Sequence, residues 1–165
     1  MKRAFALSTS LILLMGIEGA AKSWRGIVPL RSTRADVQRV LGPPITGGGT
    51  IDLYELEEGH VNVMYAGARC EQGLPADWGN WNVPAGRVVN ISISLHVPQP
   101  VAKLKIRNLK RYKWYTDASG ATYYHDKSQG IEYQVQGDVV TAITYGPSAK
   151  DQRLLCRRGQ PRLKY

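Results

Sequence analysis

From Ile51 to Ala66 the chain reads IDLYELEEGHVNVMYA, two apolar-rich runs on either side of Glu57-Glu58-Gly59, the second with Val61, Val63 and Tyr65 alternating with Asn62 and Met64. Period-two alternation flanked by turn residues predicts two strands, Ile51 to Leu56 and His60 to Ala66, joined by a tight hairpin. RVVNISISLHV, Arg87 to Val97, predicts a third strand with Val89, Ile91, Ile93 and Leu95 on one face, and the PQP that follows is expected to break it. The intervening RCEQGLPADWGNWNVPAG is rich in Gly and Pro and reads as loop. Further on, VAKLKIRNLKRYKWY begins at strand period and is expected to make a helical turn around Asn108 to Tyr115. Asp117 to Gly120 is a turn. ATYYHD, GIEYQVQG and VVTAITYG then predict three more strands, the last two joined at Gly137-Asp138.

One segment has the other period. In GIVPLRSTRADVQRVLGPP, Gly26 to Pro44, the apolar residues Val37, Val40 and Leu41 recur at i, i+3, i+4. Thr33 and Asp36 match a capping box, with Ser32 a competing cap. Gly42 is placed for a left-handed C-terminal residue, and Pro43-Pro44 forbids continuation. A helix of about ten residues is too short to persist alone and needs a sheet to lie on. The prediction is an α+β fold: an antiparallel sheet with one short N-terminal helix packed on it. The loose similarity between YELEEGHVNVMYAG and YHDKSQGIEYQVQGDVVTAITYG leaves open an arrangement of two helix-plus-meander units. PSAKDQRLLC is read as a last helical turn that brings Cys156 towards Cys70.

The N-terminus changes where this domain is expected to work. Lys2 and Arg3 precede an apolar run from Ala4 to Ile17, and Gly19-Ala20-Ala21 is a small-residue cleavage signal, so residues 1–21 read as a signal peptide and 22–165 as one domain. The alternative, a retained anchor, needs about 20 apolar residues and the run is shorter. An exported protein is therefore expected, periplasmic or extracellular, with no transmembrane span after cleavage. Export makes a Cys70–Cys156 disulfide the default for the two cysteines. It would close a loop of roughly 85 residues, a constraint of about 4 kcal/mol on chain-entropy grounds.

Charge adds a second theme. The chain carries +9, and removing Lys2, Arg3 and Glu18 with the leader leaves +8. No Asp or Glu occurs from Trp78 to Thr116, and KLKIRNLKRYK within that gap holds Lys103, Lys105, Arg107, Lys110, Arg111 and Lys113. Two readings stand. A lysine-studded strand protects a sheet edge from pairing, and a concentrated positive field binds anions. For an exported protein the anion would be an anionic envelope polymer, lipid headgroups or an acidic envelope protein. No nucleic-acid-binding motif is present. Trp78 and Trp81, three apart in a loop, form either a roof over the core or an exposed platform for a partner.

The opening pattern, with Gly26, Ser32-Thr33, Val37, Leu41-Gly42 and Pro44, resembles the start of small exported proteins of the SmpA/OmlA (BamE-like) kind, in which such a helix precedes a β-meander. The β-lactamase-inhibitor-protein-like fold uses a similar unit, sometimes twice. The whole chain also resembles a group of uncharacterised exported bacterial proteins through Trp24 to Pro44, Trp81 to Val88 and Tyr145 to Cys156. BamE-like proteins are shorter and carry a lipid-modified Cys that is missing here, so a role in outer-membrane barrel assembly does not carry over. The resemblance implies a non-catalytic binding module of the cell envelope.

Catalytic signatures are lacking. G-x-S-x-G, P-loop and H-E-x-x-H patterns do not occur. Gly47-Gly48-Gly49 follows a helix instead of opening one, the wrong order for a phosphate cradle. Asp52, Glu55, Glu57 and Glu58 could supply paired carboxylates but crowd one hairpin, as a solvated face does. His60, His96 and His125 show no metal-ligand spacing, and His125-Asp126 would point to opposite faces of a strand. The expected function is a binding module without metal or cofactor, using a basic face. The alternatives are a protein-partner or inhibitor module using the sheet face and the Trp78/Trp81 loop, or a small envelope hydrolase.

Overall fold

The computed structural model describes residues 21–70, 80–104, 106 and 110–156. Residues 1–20, all but the last residue of the expected signal peptide, lie outside the described residues, as do Trp78, Lys105 and Arg107. Seven strands, β1 (Ile51–Leu56), β2 (Gly59–Tyr65), β3 (Val88–Pro100), β4 (Lys113–Thr116), β5 (Thr122–Asp126), β6 (Ile131–Gln136) and β7 (Val139–Tyr145), form one antiparallel sheet in the order β1-β2-β3-β7-β6-β5-β4. Two meanders, β1 to β3 and β4 to β7, meet where β3 pairs with β7. Each meander is preceded by a helix, α1 (Arg34–Leu41) and the single turn α2 (Val101–Leu104).

One face of the sheet holds the core. Tyr54, Val61, Val63, Tyr65, Val88, Ile91 and Ile93 bury against Ile27 and against Val37 of α1. On the second meander Ile131, Tyr133, Val135 and Val140 bury with Val101 of α2, Ile106 and Tyr112. Leu95 and Tyr145 pack against both clusters and so join them across the β3/β7 seam.

Helix α1 starts as its sequence dictates. The Thr33 hydroxyl accepts from Asp36 N, and the Thr33 backbone N–H donates to Asp36 Oδ2 at 2.9 Å. These bonds, the backbone one foremost, hold the Asp36 carboxyl down at about 2. Three details differ from expectation. Val40 is 45% exposed, so the helix docks through Val37 and Leu41. Gly42 takes φ +83° but ψ −169°, a positive-φ stop outside the left-handed helical well. The helix is eight residues long.

The strands also diverge in places. β3 continues through Pro98 to Pro100: Pro98 falls where its register with β7 shifts between Ser94 and Gln99, and Pro100 is its last residue, opposite Val139. A bulge opposite Met64/Tyr65 turns Val89 away from Ile91. The lysine-rich segment is not a strand where Lys103 sits: Val101 and Leu104 bury at helical spacing as α2, with Lys103 exposed beside them. The edge strand is β4, Lys113–Thr116, in place of the helical turn expected there.

Residues 148–156 fold over the other face of the sheet. Ser148 and Asp151 form a second capping box on a 3-10 turn, Ala149–Leu154. Arg31 Nη2 reaches the buried Asp151 carboxylate at 3.3 Å. The Cys70–Cys156 disulfide is formed, with Cα atoms 5.4 Å apart, and spans 86 positions of sequence. No helix among the described residues is long and apolar enough to cross a membrane.

Candidate functional site

Cross-strand partners share a face, so the register assigns the residues opposite the core. They are Ile51, Leu53 and Glu55 of β1, His60, Asn62 and Met64 of β2, Asn90, Ser92, Ser94 and His96 of β3, and Ala142 and Thr144 of β7. Part of this face is covered. Trp81, Val83 and Val89 bury there with Leu30 and Ala66, beneath Leu154 and Leu155.

The uncovered part is a groove of about 650 Å³. Ile51, Leu53 and Met64 give it an apolar floor, and Asn62, Asn90, Ser92 and Thr144 supply amides and hydroxyls. Among the described residues its lining includes no charged side chain. One wall is the Thr46–Gly48 turn, which is pinned from the core side. The Asp52 carboxylate, 1% exposed, accepts from Gly48 N at 3.4 Å and faces Arg34 Nε at 3.1 Å. Arg34 also donates to the Gly49 carbonyl at 2.6 Å and lies 4.4 Å over the Tyr65 ring. A Cβ on Gly47 would stand 2.6 Å from Asp52 Oδ1, so this turn closes only with glycine there. Burial pushes the Tyr65 phenol well up, helped by its Asp52 and Tyr54 neighbours.

A second recess of about 370 Å³ continues the groove, sharing Asn90 and Thr144 with it. Trp81, Val89 and Leu155 form one side, and His125 and Glu132, cross-strand partners on β5 and β6, lie on the other. Burial raises the Glu132 carboxyl, and lowers the His125 imidazole with Lys127 adding to the effect. Both groups are thereby pushed towards their neutral forms.

The residues singled out by sequence sort as follows. Trp81 is 4% exposed, so it roofs the covered end of the face and is not a stacking platform. Lys103, Lys110, Arg111 and Lys113 are all exposed, and Arg111 Nε lies 3.1 Å from the buried Asp126 carboxylate. Asp126 faces the core side with Tyr124 and Ile131, and His125 the other, as strand geometry requires. Asp52 and Glu55 likewise fall on opposite faces, which removes a paired-carboxylate site between them.

Sequence spacing missed one cluster. On the open face, two residues beyond Leu53 and Asn62, Glu55 lies directly opposite His60. Glu55 Oε2 is 2.5 Å from His60 Nδ1, and Oε1 is 2.6 Å from His96 Nε2 of β3. The two imidazoles meet edge to face, centroids 4.7 Å apart. The expected three-residue connection Glu57-Glu58-Gly59 would set Leu56 against His60; the observed turn is the two residues Glu57-Glu58, so Gly59 joins β2 and Glu55 meets His60. The arrival of His96 depends on the β2/β3 register, which no local signal gives.

No protein-family profile matches the chain, and no curated protein matches it. Among solved structures it is similar to a DUF4309 family protein, YjgB of Bacillus subtilis, at 13% identity and a TM-score of 0.47, over 79% of this chain and 88% of that one.

Proposed function

We propose that the protein is an exported, non-catalytic binding module whose receptor surface is the open face of its sheet. The observation that carries this reading is the groove over Ile51, Leu53 and Met64, apolar at its floor, uncharged among the described residues and rimmed by amides and hydroxyls. Such a lining suits an apolar segment that also offers hydrogen-bonding groups, as a peptide does, and disfavours an ionic ligand. The Cys70–Cys156 disulfide supports export. Among the described residues the one histidine–carboxylate pairing close enough for proton transfer is the Glu55 cluster, which lies outside the groove lining.

The exposed Lys103, Lys110 and Lys113 support a second reading, attraction to an anionic envelope component. The two readings separate by photo-crosslinking in the native envelope. A photoreactive residue at Leu53 should give a discrete adduct, while one at Lys103 gives none. Adducts from Lys103 alone would reject the groove as receptor and favour the basic surface.

A further inference from the structure

We infer that Glu55, His60 and His96 form a binding site for a divalent transition-metal ion, with Zn²⁺ as its reference ligand. Three adjacent strands contribute one donor each, and the donor atoms all lie within 4.8 Å of one another. The carboxylate is the hub, giving one oxygen to each imidazole. A carboxylate only accepts, so without metal each ring nitrogen facing it must carry a proton. A cation between the three groups replaces those two protons and bonds all three donors at about 2.0–2.2 Å, the carboxylate oxygens and ring nitrogens moving apart from their present contacts to admit it.

The backbone favours this arrangement. His60 and Glu55 are paired residues of β1 and β2, and His96 is diagonal to His60, whose partner on β3 is Ser94. β3 is held close by Gly59, φ +158°, where a Cβ would lie 2.1 Å from the Ser94 carbonyl oxygen. The ligand-bearing positions are thus set by a ladder and not by a loop. Two imidazoles and one carboxylate select Zn²⁺, Ni²⁺ or Cu²⁺ over Ca²⁺ and Mg²⁺, which require oxygen donors. Three protein ligands leave at least one coordination position open. Both cysteines are in the disulfide, so thiolate does not compete. The site is independent of what the groove binds.

The test is titration of ZnCl₂ into tag-free, chelator-treated protein with its disulfide intact, followed by calorimetry and thermal melting. One equivalent should bind and raise Tm, with equimolar Ca²⁺ or Mg²⁺ producing neither effect. His60→Ala, His96→Ala and Glu55→Gln should each weaken Zn²⁺ binding ~10-fold or more, and His125→Ala should not. All four positions are at least partly exposed, so the metal-free variants should melt close to the parent. Absence of a stoichiometric event overturns the inference, as does binding that survives His60→Ala and His96→Ala together.

Discussion

Arg34→Met tests whether one ion pair holds the groove wall in place. Among the described residues Arg34 is the sole cation against the Asp52 carboxylate, and the hydrogen bonds that carboxylate accepts from Gly48 N at 3.4 Å and the Tyr54 hydroxyl at 3.5 Å are at the long limit. Removing one partner of a buried pair costs about 3–5 kcal/mol, because the remaining charge stays buried without compensation. The Arg34 side chain is 32% exposed, so water reaches part of the site and the lower end, about 3 kcal/mol, applies. The lost stacking on Tyr65 adds about 0.5–1 kcal/mol. For a domain of this size that predicts a fall in Tm of roughly 10 °C. Asp52→Asn, which leaves a half-solvated guanidinium instead of a buried carboxylate, should cost less. The double variant should be more stable than the sum of the single effects implies, by at least about 1.5 kcal/mol of coupling. Urea denaturation of the four proteins, with the disulfide kept oxidised, gives the cycle directly. Additive costs, with coupling below about 0.5 kcal/mol, would refute the pairing argument. Because Thr46, Gly47 and Gly48 line the groove, Arg34→Met should also reduce crosslinking from position 53.

Three further outcomes are expected. Thr33→Ala should cost about 1 kcal/mol of stability by removing the cap of α1; because Asp36 titrates at about 2 when folded and near 3.8 otherwise, the cap's contribution is full above 3.8 and is lost as pH falls through about 2, which acid denaturation of the parent and the variant measures. Glu132→Gln should raise Tm at pH 7, since burial opposes the charged carboxylate in the folded state; the gain should fade as pH falls below the ordinary value of 4.5, where the acid is protonated folded or unfolded. Trp81→Ala should destabilise by about 3–5 kcal/mol in urea, as the loss of a buried aromatic does; an unchanged midpoint with lost partner crosslinking would restore the platform reading.

What could be read from sequence was whatever one element decides for itself. β1 has the expected bounds because turns enclose IDLYEL on both sides, although polarity did not give its faces: Asp52 and Tyr54 are buried while Ile51 and Leu53 are exposed. The Thr33/Asp36 box predicted the start of α1, and Ser148-Ala-Lys-Asp151 repeats the same pattern at the 3-10 turn, where it went unread. β4 gave no signal because all four of its residues are exposed, so burial imposes no alternation. The prolines of β3 and the bulge at Val89 are features of pairing, and pairing partners are set by the whole sheet. The same applies to function. The Glu55–His60–His96 cluster exists only after three strands fix a common register and the groove only after four, whereas the conspicuous Trp81 and Lys103 sit where local packing and solvation already account for them.

The disulfide also has a place in time. Cys70 follows β2, and Cys156 comes after every strand of the sheet. During N- to C-terminal emergence the first meander can therefore pair before its thiol has a correct partner, because the whole second meander precedes Cys156 in the chain. An oxidant that meets the chain early finds only Cys70 to engage, and the native bridge waits for the last strand to emerge.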